Sequence, residues 1–277
     1  MCAVEHPREL VVPEGDSVYR LADRLRRQVA HRRIVAGELR SGTAAGTSLA
    51  GLAIGGFDTH GKHLVTTLDP GWALHTHLLM QGSWSVTRAG RSVPARLRSA
   101  VRVRASLDDG STLWGIDMPV VEMLRASSVR AALAHLGPDP LRPDWDAAEA
   151  ARRLRSAADR PLVAALLDQR IIAGLGNLWV NELAFLSGAH PFAPAGAVDA
   201  DALVDRAARA LRLSATVAGM YQVTTGDRRP GRSHWVAGRA GKPCLRCGTM
   251  IRVRAEVADD PQRRRTWWCP FCQPSGS

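Results

Sequence analysis

The stretch from Cys244-Leu-Arg-Cys247 to Cys269-Pro-Phe-Cys272-Gln273 carries two Cys-x-x-Cys pairs and little else that could rival them as a structural signal. Each pair makes a tight knuckle, and four thiolates on two knuckles form the closed tetrahedral shell of one structural Zn2+ ion. No position is left open for a catalytic water. The segment joining the knuckles reads as a β-hairpin, and it holds Arg252, Arg254, Arg263, Arg264 and Arg265. A loop this basic is suited to phosphate contact. Taken by itself, the pattern equally describes a generic zinc ribbon that stabilises a C-terminus.

Composition points the same way. The chain has 277 residues and a formal charge of +11, with an isoelectric point near 10.7. That excess favours a polyanionic partner, most simply nucleic acid. The length allows two domains and a small appended module. No apolar run is long enough to span a bilayer and the first twelve residues lack an export h-region, so the expected location is cytoplasmic, at the nucleoid. In that compartment paired cysteines are a metal site before they are disulfides. Of the 37 basic residues only Lys62 and Lys242 are lysines. This bias fits a GC-rich genome and is compatible with a GTG start codon at Val12.

Outward from the cysteines toward the N-terminus, residues 226–242 are rich in Gly, Arg and Pro and read as a mobile basic connection. Before them, from about residue 120, the pattern is helical: Asp144 is placed to cap one helix, Pro161 opens another over Leu162–Arg170, and Asn177–Leu186 and Asp201–Ala218 supply two more. From about 34 to 118 the pattern is that of short strands. His63–Leu68, Trp72–Met80 and the alternation Val101–Ala105 fit a half-buried antiparallel sheet, with Asp108-Asp109-Gly110 as a hairpin turn. Ahead of the strands, Asp16 is the expected N-cap of an amphipathic helix whose apolar face is Val18, Leu21, Leu25 and Val29.

Several constellations carry possible chemistry. In Gln169-Arg-Ile-Ile-Ala-Gly174-Leu-Gly176-Asn177, a glycine turn opening a helix would aim backbone amides and the Asn177 amide at one spot, as a phosphate site does. The plain alternative is tight helix packing. Leu79, Met80 and Gln81 leave a strand on a loop, where apolar side chains can fill the gap left by an extruded base; in isolation they also fit a core, and His75 and His77 a structural pair. Lys62, in a chain that otherwise uses arginine, reads as a required point-charge ammonium. Pro13-Glu14 is chemically inert inside a chain. At a free N-terminus the same proline is a secondary amine that titrates near pH 8 and is nucleophilic at neutral pH.

These motifs, in this order, resemble the formamidopyrimidine-DNA glycosylase and endonuclease VIII family of bifunctional repair enzymes, over essentially all of residues 13–273. Pro13-Glu14-Gly15 is similar to the family's N-terminal catalytic signature, and Lys62 in Gly-Lys-His to its β-domain lysine. Asn177 in Gly-Leu-Gly-Asn is similar to the helix-two-turn-helix asparagine, and the hairpin ending Cys-Pro-Phe-Cys-Gln to the family's zinc finger. Arg264 falls where the family places its finger arginine, and Arg265 leaves that register open by one. Pro-Glu-Gly-Asp, His-Leu-Leu-Met-Gln-Gly and His135-Leu-Gly-Pro-Asp resemble the endonuclease VIII branch, which prefers oxidised pyrimidines.

The resemblance implies an α+β fold. An N-terminal helix and β-sandwich domain would span 13–125, a helix-two-turn-helix DNA-binding domain 126–225, and the basic connection with its zinc finger 226–277. It also implies catalytic roles for Pro13, Glu14, Lys62 and Arg264, and DNA contacts from Leu79, Met80, Gln81, His135, Asn177 and Arg265. The expected partner of this monomer is damaged double-stranded DNA, with single-stranded or bubble DNA as a further possibility. The departure from the pattern is residues 1–12, which read as a leader drawn too early. A protein that kept the leader would lack lyase activity. Two competing readings are a non-catalytic zinc-dependent DNA-binding protein and an oxidised-purine glycosylase.

Overall fold

The computed structural model describes residues 13–42, 44–255 and 264–275. Helix α1 (Gly15–Val29) leads into strands β1 (Ile34–Leu39), β2 (Ala53–His60), β3 (His63–Asp69), β4 (Trp72–His77), β5 (Ser83–Thr87), β6 (Val101–Leu107), β7 (Thr112–Ile116) and β8 (Val120–Arg125). They form two four-stranded antiparallel sheets, ordered β2-β3-β4-β8 and β1-β6-β7-β5. The period-2 alternation of β6 decides its faces. Val103, Ala105 and Leu107 turn into the core between the sheets, while Arg102 and Arg104 turn out. Helix α1 adds Val18, Ala22, Leu25 and Val29 to that core beside Ile54, Phe57, Leu64 and Leu113. The expected α+β sandwich is what the chain forms.

The second half contains α2 (Val129–Ala132), α3 (Ala147–Arg155), α4 (Leu162–Leu167), α5 (Asn177–Leu186) and α6 (Ala200–Thr216). Helices α3 to α6 pack around Leu166, Trp179, Leu183, Leu203 and Leu211, and α2 packs through Val129 near Leu133, Leu136 and Ala173. Several boundaries differ from the sequence reading, each for a local reason. The N-cap of α1 is Glu14, because Asp16 is buried and takes the Ser214 hydroxyl hydrogen bond instead. Asp146, not Asp144, caps α3 by accepting from Glu149 N at 2.9 Å; Asp144 is held by Arg142. Helix α4 stops at Leu167 because Asp168 turns its carboxylate back onto Arg160 and Arg170. Asp199 caps α6, one residue before its first turn. Residues 120–125, expected at the start of the helical half, are the edge strand β8 on β4. Strand β4 ends at His77, where the chain turns.

The connection 226–242 is anchored, contrary to the expectation of a mobile segment. The backbone amides of Trp235, Val236 and Ala237 all donate to the buried Glu182 carboxylate at 2.8 Å. Asp227 gathers Arg229 and Arg232. Strands β9 (Arg252–Arg254) and β10 (Thr266–Trp268) then pair antiparallel as the finger hairpin. Arg263, read as a phosphate contact, lies outside the described residues, as do residues 1–12.

The two halves meet at glycines. Gly15 N donates to Gly174 O at 2.9 Å, and a Cβ built on Gly15 would stand 2.7 Å from Gly174 Cα. Neither neighbour is a flexible side chain, so backbone must move. Gly15→Ala is expected to cost about 1–3 kcal/mol, seen as a lowered midpoint in thermal unfolding. Gly56→Ala, where nothing lies within 4 Å, is expected to leave the midpoint within about 0.5 kcal/mol of wild type.

Candidate active site

Three segments converge on Glu14. Its carboxylate has no solvent exposure and accepts from Gly176 N at 2.9 Å, Leu178 N at 2.8 Å and Trp179 N at 3.4 Å. The glycine turn and first turn of α5 therefore do receive an anion, but it is the protein's own. The phosphate cradle expected of Gly174-Leu-Gly176 is occupied by Glu14, and a Cβ on Gly176 would sit 2.4 Å from Glu14 Cδ. Gln169 staples the turn: its Oε1 accepts from Gly174 N, and its Nε2 donates to Leu167 O and Leu175 O. Burial pushes the Glu14 carboxyl up to about 7. The Lys62 ammonium and the amides of Leu178 and Trp179 pull it down, and Asp16 adds to the rise.

Lys62 sits on the β2–β3 turn. Gly61 takes a left-handed conformation there, with φ +57, and donates its N–H to Asp139 Oδ2 at 2.7 Å. His60 Nε2 bonds Gly137 O across the same junction. Half-buried Lys62 is lowered to about 8, chiefly by desolvation; Glu14 and Asp16 act to raise it, and Arg264 lowers it further. A carboxyl and an ammonium are thus both brought toward neutral pH in one site. Asp16 is likewise pushed up by burial.

The strand that precedes the Leu79–Gln81 loop carries a histidine network. His63 Nδ1 and His75 Nε2 are 2.8 Å apart, and His75 Nδ1 lies 2.9 Å from Glu122 Oε2. His77 packs edge-on to His63, with ring centroids 4.6 Å apart. Its Nδ1 accepts the N–H of Leu79 at 3.0 Å, and Leu79 has φ +46. Burial first, then Lys62 and His75, lowers His77 to about 4, so this nitrogen remains an acceptor at neutral pH. Burial and the neighbouring histidines lower His63 to about 3. Leu79 and Met80 are exposed at 45% and 55%, which removes the core alternative for them.

A cleft of about 810 Å³ brings together Pro13, Glu14, Lys62, Leu79, Met80, Asn177, Arg264 and Arg265, with His77 and Trp267. Two expected site residues fall elsewhere. Gln81 lines a neighbouring cavity of about 400 Å³ with Leu79, Met80 and Arg102. His135 is exposed and lies edge-on to His63, at 6.1 Å between ring centroids. A further cavity of about 780 Å³ shares Pro13 and is lined by Ser17, Arg20, Arg24, Trp84 and Tyr221.

Helix α5 also carries the finger. Asn177 Nδ2 donates to Arg265 O at 3.0 Å, and Asn181 Oδ1 accepts from Trp267 N at 2.8 Å. The four sulfurs of Cys244, Cys247, Cys269 and Cys272 lie within 4.8 Å of one another, and none is in a disulfide. That donor set can hold one metal ion. Sequence reasoning missed Gln169, Asn181 and Glu182. The available signal was a Glu and an Asn inside an otherwise apolar helix, Leu178–Leu186, where a buried polar group has to find partners.

Comparison with known proteins agrees with this geometry. The formamidopyrimidine-DNA glycosylase N-terminal domain model matches residues 12–119, and the H2TH domain model of the same enzymes matches 136–220. The chain is 40% identical to "Probable endonuclease 8 2" of Streptomyces coelicolor, covering 95% of this chain and 94% of that one. It is 39% identical to "DNA-(apurinic or apyrimidinic site) lyase Nei2" of Mycolicibacterium smegmatis, covering 95% and 99%. The fold is shared with the Lactococcus lactis Fpg solved in complex with abasic-site DNA, at TM-score 0.78, 22% identity, 95% coverage of this chain and 100% of that one. A glycine-locked junction around a buried glutamate, a four-cysteine hairpin and matches of this extent place the chain in the formamidopyrimidine-DNA glycosylase and endonuclease VIII family.

Proposed function

We propose that the protein is a bifunctional DNA glycosylase and apurinic/apyrimidinic lyase of base excision repair, acting on oxidised pyrimidines. The supporting observation is that Pro13, Glu14, Lys62, Asn177 and Arg264 line one cleft although they come from four separate parts of the chain. A non-catalytic DNA-binding protein would not need a buried carboxyl raised to about 7 beside its N-terminal proline. The 40% relatives named endonuclease 8 favour the pyrimidine branch over the oxidised-purine one.

In this reading Lys62, Asn177 and Arg264 hold phosphates, Leu79 and Met80 occupy the gap in the stack, and Gln81 supports them from the adjoining cavity. The extruded base enters the cavity between Arg20, Trp84 and Tyr221, on the other side of Pro13. The Pro13 amine bonds to C1′, and Glu14 protonates the sugar ring oxygen as the base leaves. The iminium so formed has no N–H to lose, stays cationic and acidifies the C2′ proton. Loss of the 3′ phosphate and then the 5′ phosphate completes β,δ-elimination. Cys244, Cys247, Cys269 and Cys272 would hold a structural Zn2+, which would supply shape and no chemistry.

The amine must be free for any of this. Protein beginning at Pro13 is expected to form a borohydride-trapped adduct with abasic DNA and to cleave dihydrouracil-containing duplex faster than 8-oxoguanine duplex. Protein retaining residues 1–12 is expected to trap nothing. Adduct formation with those residues still attached would remove Pro13 from the mechanism.

The pH profile follows from the two shifted groups. Base excision needs protonated Glu14, so its rate falls as pH rises through about 7. Lys62 holds that carboxyl down, so Lys62→Met is expected to move the falling limb to higher pH, measured as kcat/KM on lesion duplex. Glu14→Gln is expected to slow base excision about 10²- to 10⁴-fold while still trapping a preformed abasic site, where no base has to leave. Chelation of the metal, read by DNA binding and thermal unfolding, is expected to abolish binding through the finger while leaving the β-sandwich transition in place.

A further inference from the structure

The segment between β5 and β6 contains a cation cluster that the cleft does not use. Residues 88–107 hold Arg88, Arg91, Arg96, Arg98, Arg102 and Arg104 and no acidic residue. The segment is well anchored. Val93 and Leu97 pack with Val101, Trp114 and Ile116 on the outer face of the β1-β6-β7-β5 sheet, and residues 95–100 form a 3-10 turn. Five of the six arginines are exposed, and Arg102 is half-buried.

Their charge is not neutralised. Among the described residues, none of the six has a carboxylate within the 4.0 Å of an ion pair. Of the acids near the segment, Glu38, opposite Arg104 in register, is held by Arg40, and Asp108 and Asp109 face Arg32; Asp117, on the cavity that Arg102 lines, makes no ion pair with any of the six. Several exposed arginines elsewhere on the surface, Arg152, Arg170, Arg209 and Arg229, are ion-paired, while others such as Arg125 and Arg130 stand singly outside this segment. A rigid, unpaired cluster is costly through self-repulsion unless a polyanion meets it.

Its position identifies which polyanion. Arg102 lines the 400 Å³ cavity whose other wall is Leu79, Met80 and Gln81. Leu79 and Met80 also line the catalytic cleft, and the end of the arginine segment adjoins the cavity through Ala100 O, which accepts from Asp117 N at 2.8 Å. The six-residue 3-10 turn is about 12 Å long, the rise of three to four base pairs at about 3.4 Å each. We propose that Arg91, Arg96 and Arg98, with Arg102 at the wedge, bind phosphates of the undamaged strand, so that this surface makes the enzyme prefer duplex over single-stranded lesions. The inference rests on the proposed DNA-repair function and names the strand it grips.

The test is the salt dependence of binding for the triple variant Arg91→Gln/Arg96→Gln/Arg98→Gln. On a duplex with a central tetrahydrofuran abasic analogue, the slope of log K against log[salt] between about 50 and 200 mM is expected to become shallower by about 2 to 3. On the same lesion in a single strand it is expected to stay as in wild type. Replacing the facing phosphates of the undamaged strand by neutral methylphosphonates is expected to produce the same loss in wild type and no further loss in the variant. An unchanged duplex slope, an equal change on single strands, or additive losses with the methylphosphonates would each overturn the proposal. Borohydride trapping by the wild type reports separately on the repair function.

Discussion

A carboxylate sealed from water has to be compensated, and Glu14 is compensated by the start of a helix that lies 162 positions further along the chain. Three amides and the partial positive end of α5 offer it stabilisation, typically up to about 2 kcal/mol in partly buried geometry. Burying the charge costs several kcal/mol, so the compensation is incomplete. A carboxyl raised to about 7 corresponds to roughly 3 kcal/mol against ionisation. In the proposed reaction that shortfall serves a group that gives up a proton. The same contact fixes how the sandwich and the helical half are docked, because Glu14 begins α1 and α1 belongs to the sandwich core.

That docking leaves little room at four glycines. Gly15 and Gly174 touch through their main chains, Gly61 reaches Ala173 and Gly174 from the β2–β3 turn, and Gly176 lies against the Glu14 side chain. Together they bring the lining of the cleft to the junction: Pro13 and Glu14 directly precede α1, the β2–β3 turn carries Lys62, and the glycine turn opens the helix that carries Asn177. Proximity here follows from backbones that approach within van der Waals contact, which is only possible where Cβ is absent.

What could be read from the sequence, and what could not, divides along the same line. The cysteine tetrad, the helix at Asn177–Leu186 and the sandwich strands were legible because each is written in a local period or spacing. The residues of the cleft were named through family resemblance, not through any local pattern; Pro13, Glu14, Lys62, Asn177 and Arg264 line one cleft. Asp16 misled because a good N-cap residue type was claimed by a tertiary partner, Ser214, on α6. The glycine turn misled in a more informative way: its amides were correctly read as an anion site, but the anion comes from a residue too distant for any local pattern to disclose. Glu182 and residues 235–237 were misread together, since a Gly- and Arg-rich segment looks mobile until the buried carboxylate that anchors it is known.

Helix α5 joins these observations into one mechanical unit. Its first turn holds Glu14, Asn177 and Asn181 hold the finger strand at Arg265 and Trp267, and Glu182 holds the segment that leads into the cysteines. Ten residues of helix therefore bind the Glu14 carboxylate, present the asparagine of the cleft and attach the finger at several points. At a rise of about 1.5 Å per residue, a displacement of one residue along α5 would move the finger arginine and withdraw the amides from Glu14 together. The cysteine tetrad, which lines no part of the cleft, is thus tied to it through geometry: the hairpin it closes carries Arg264, whose charge acts on Lys62, and β10 is bonded to the same helix whose amides bind Glu14.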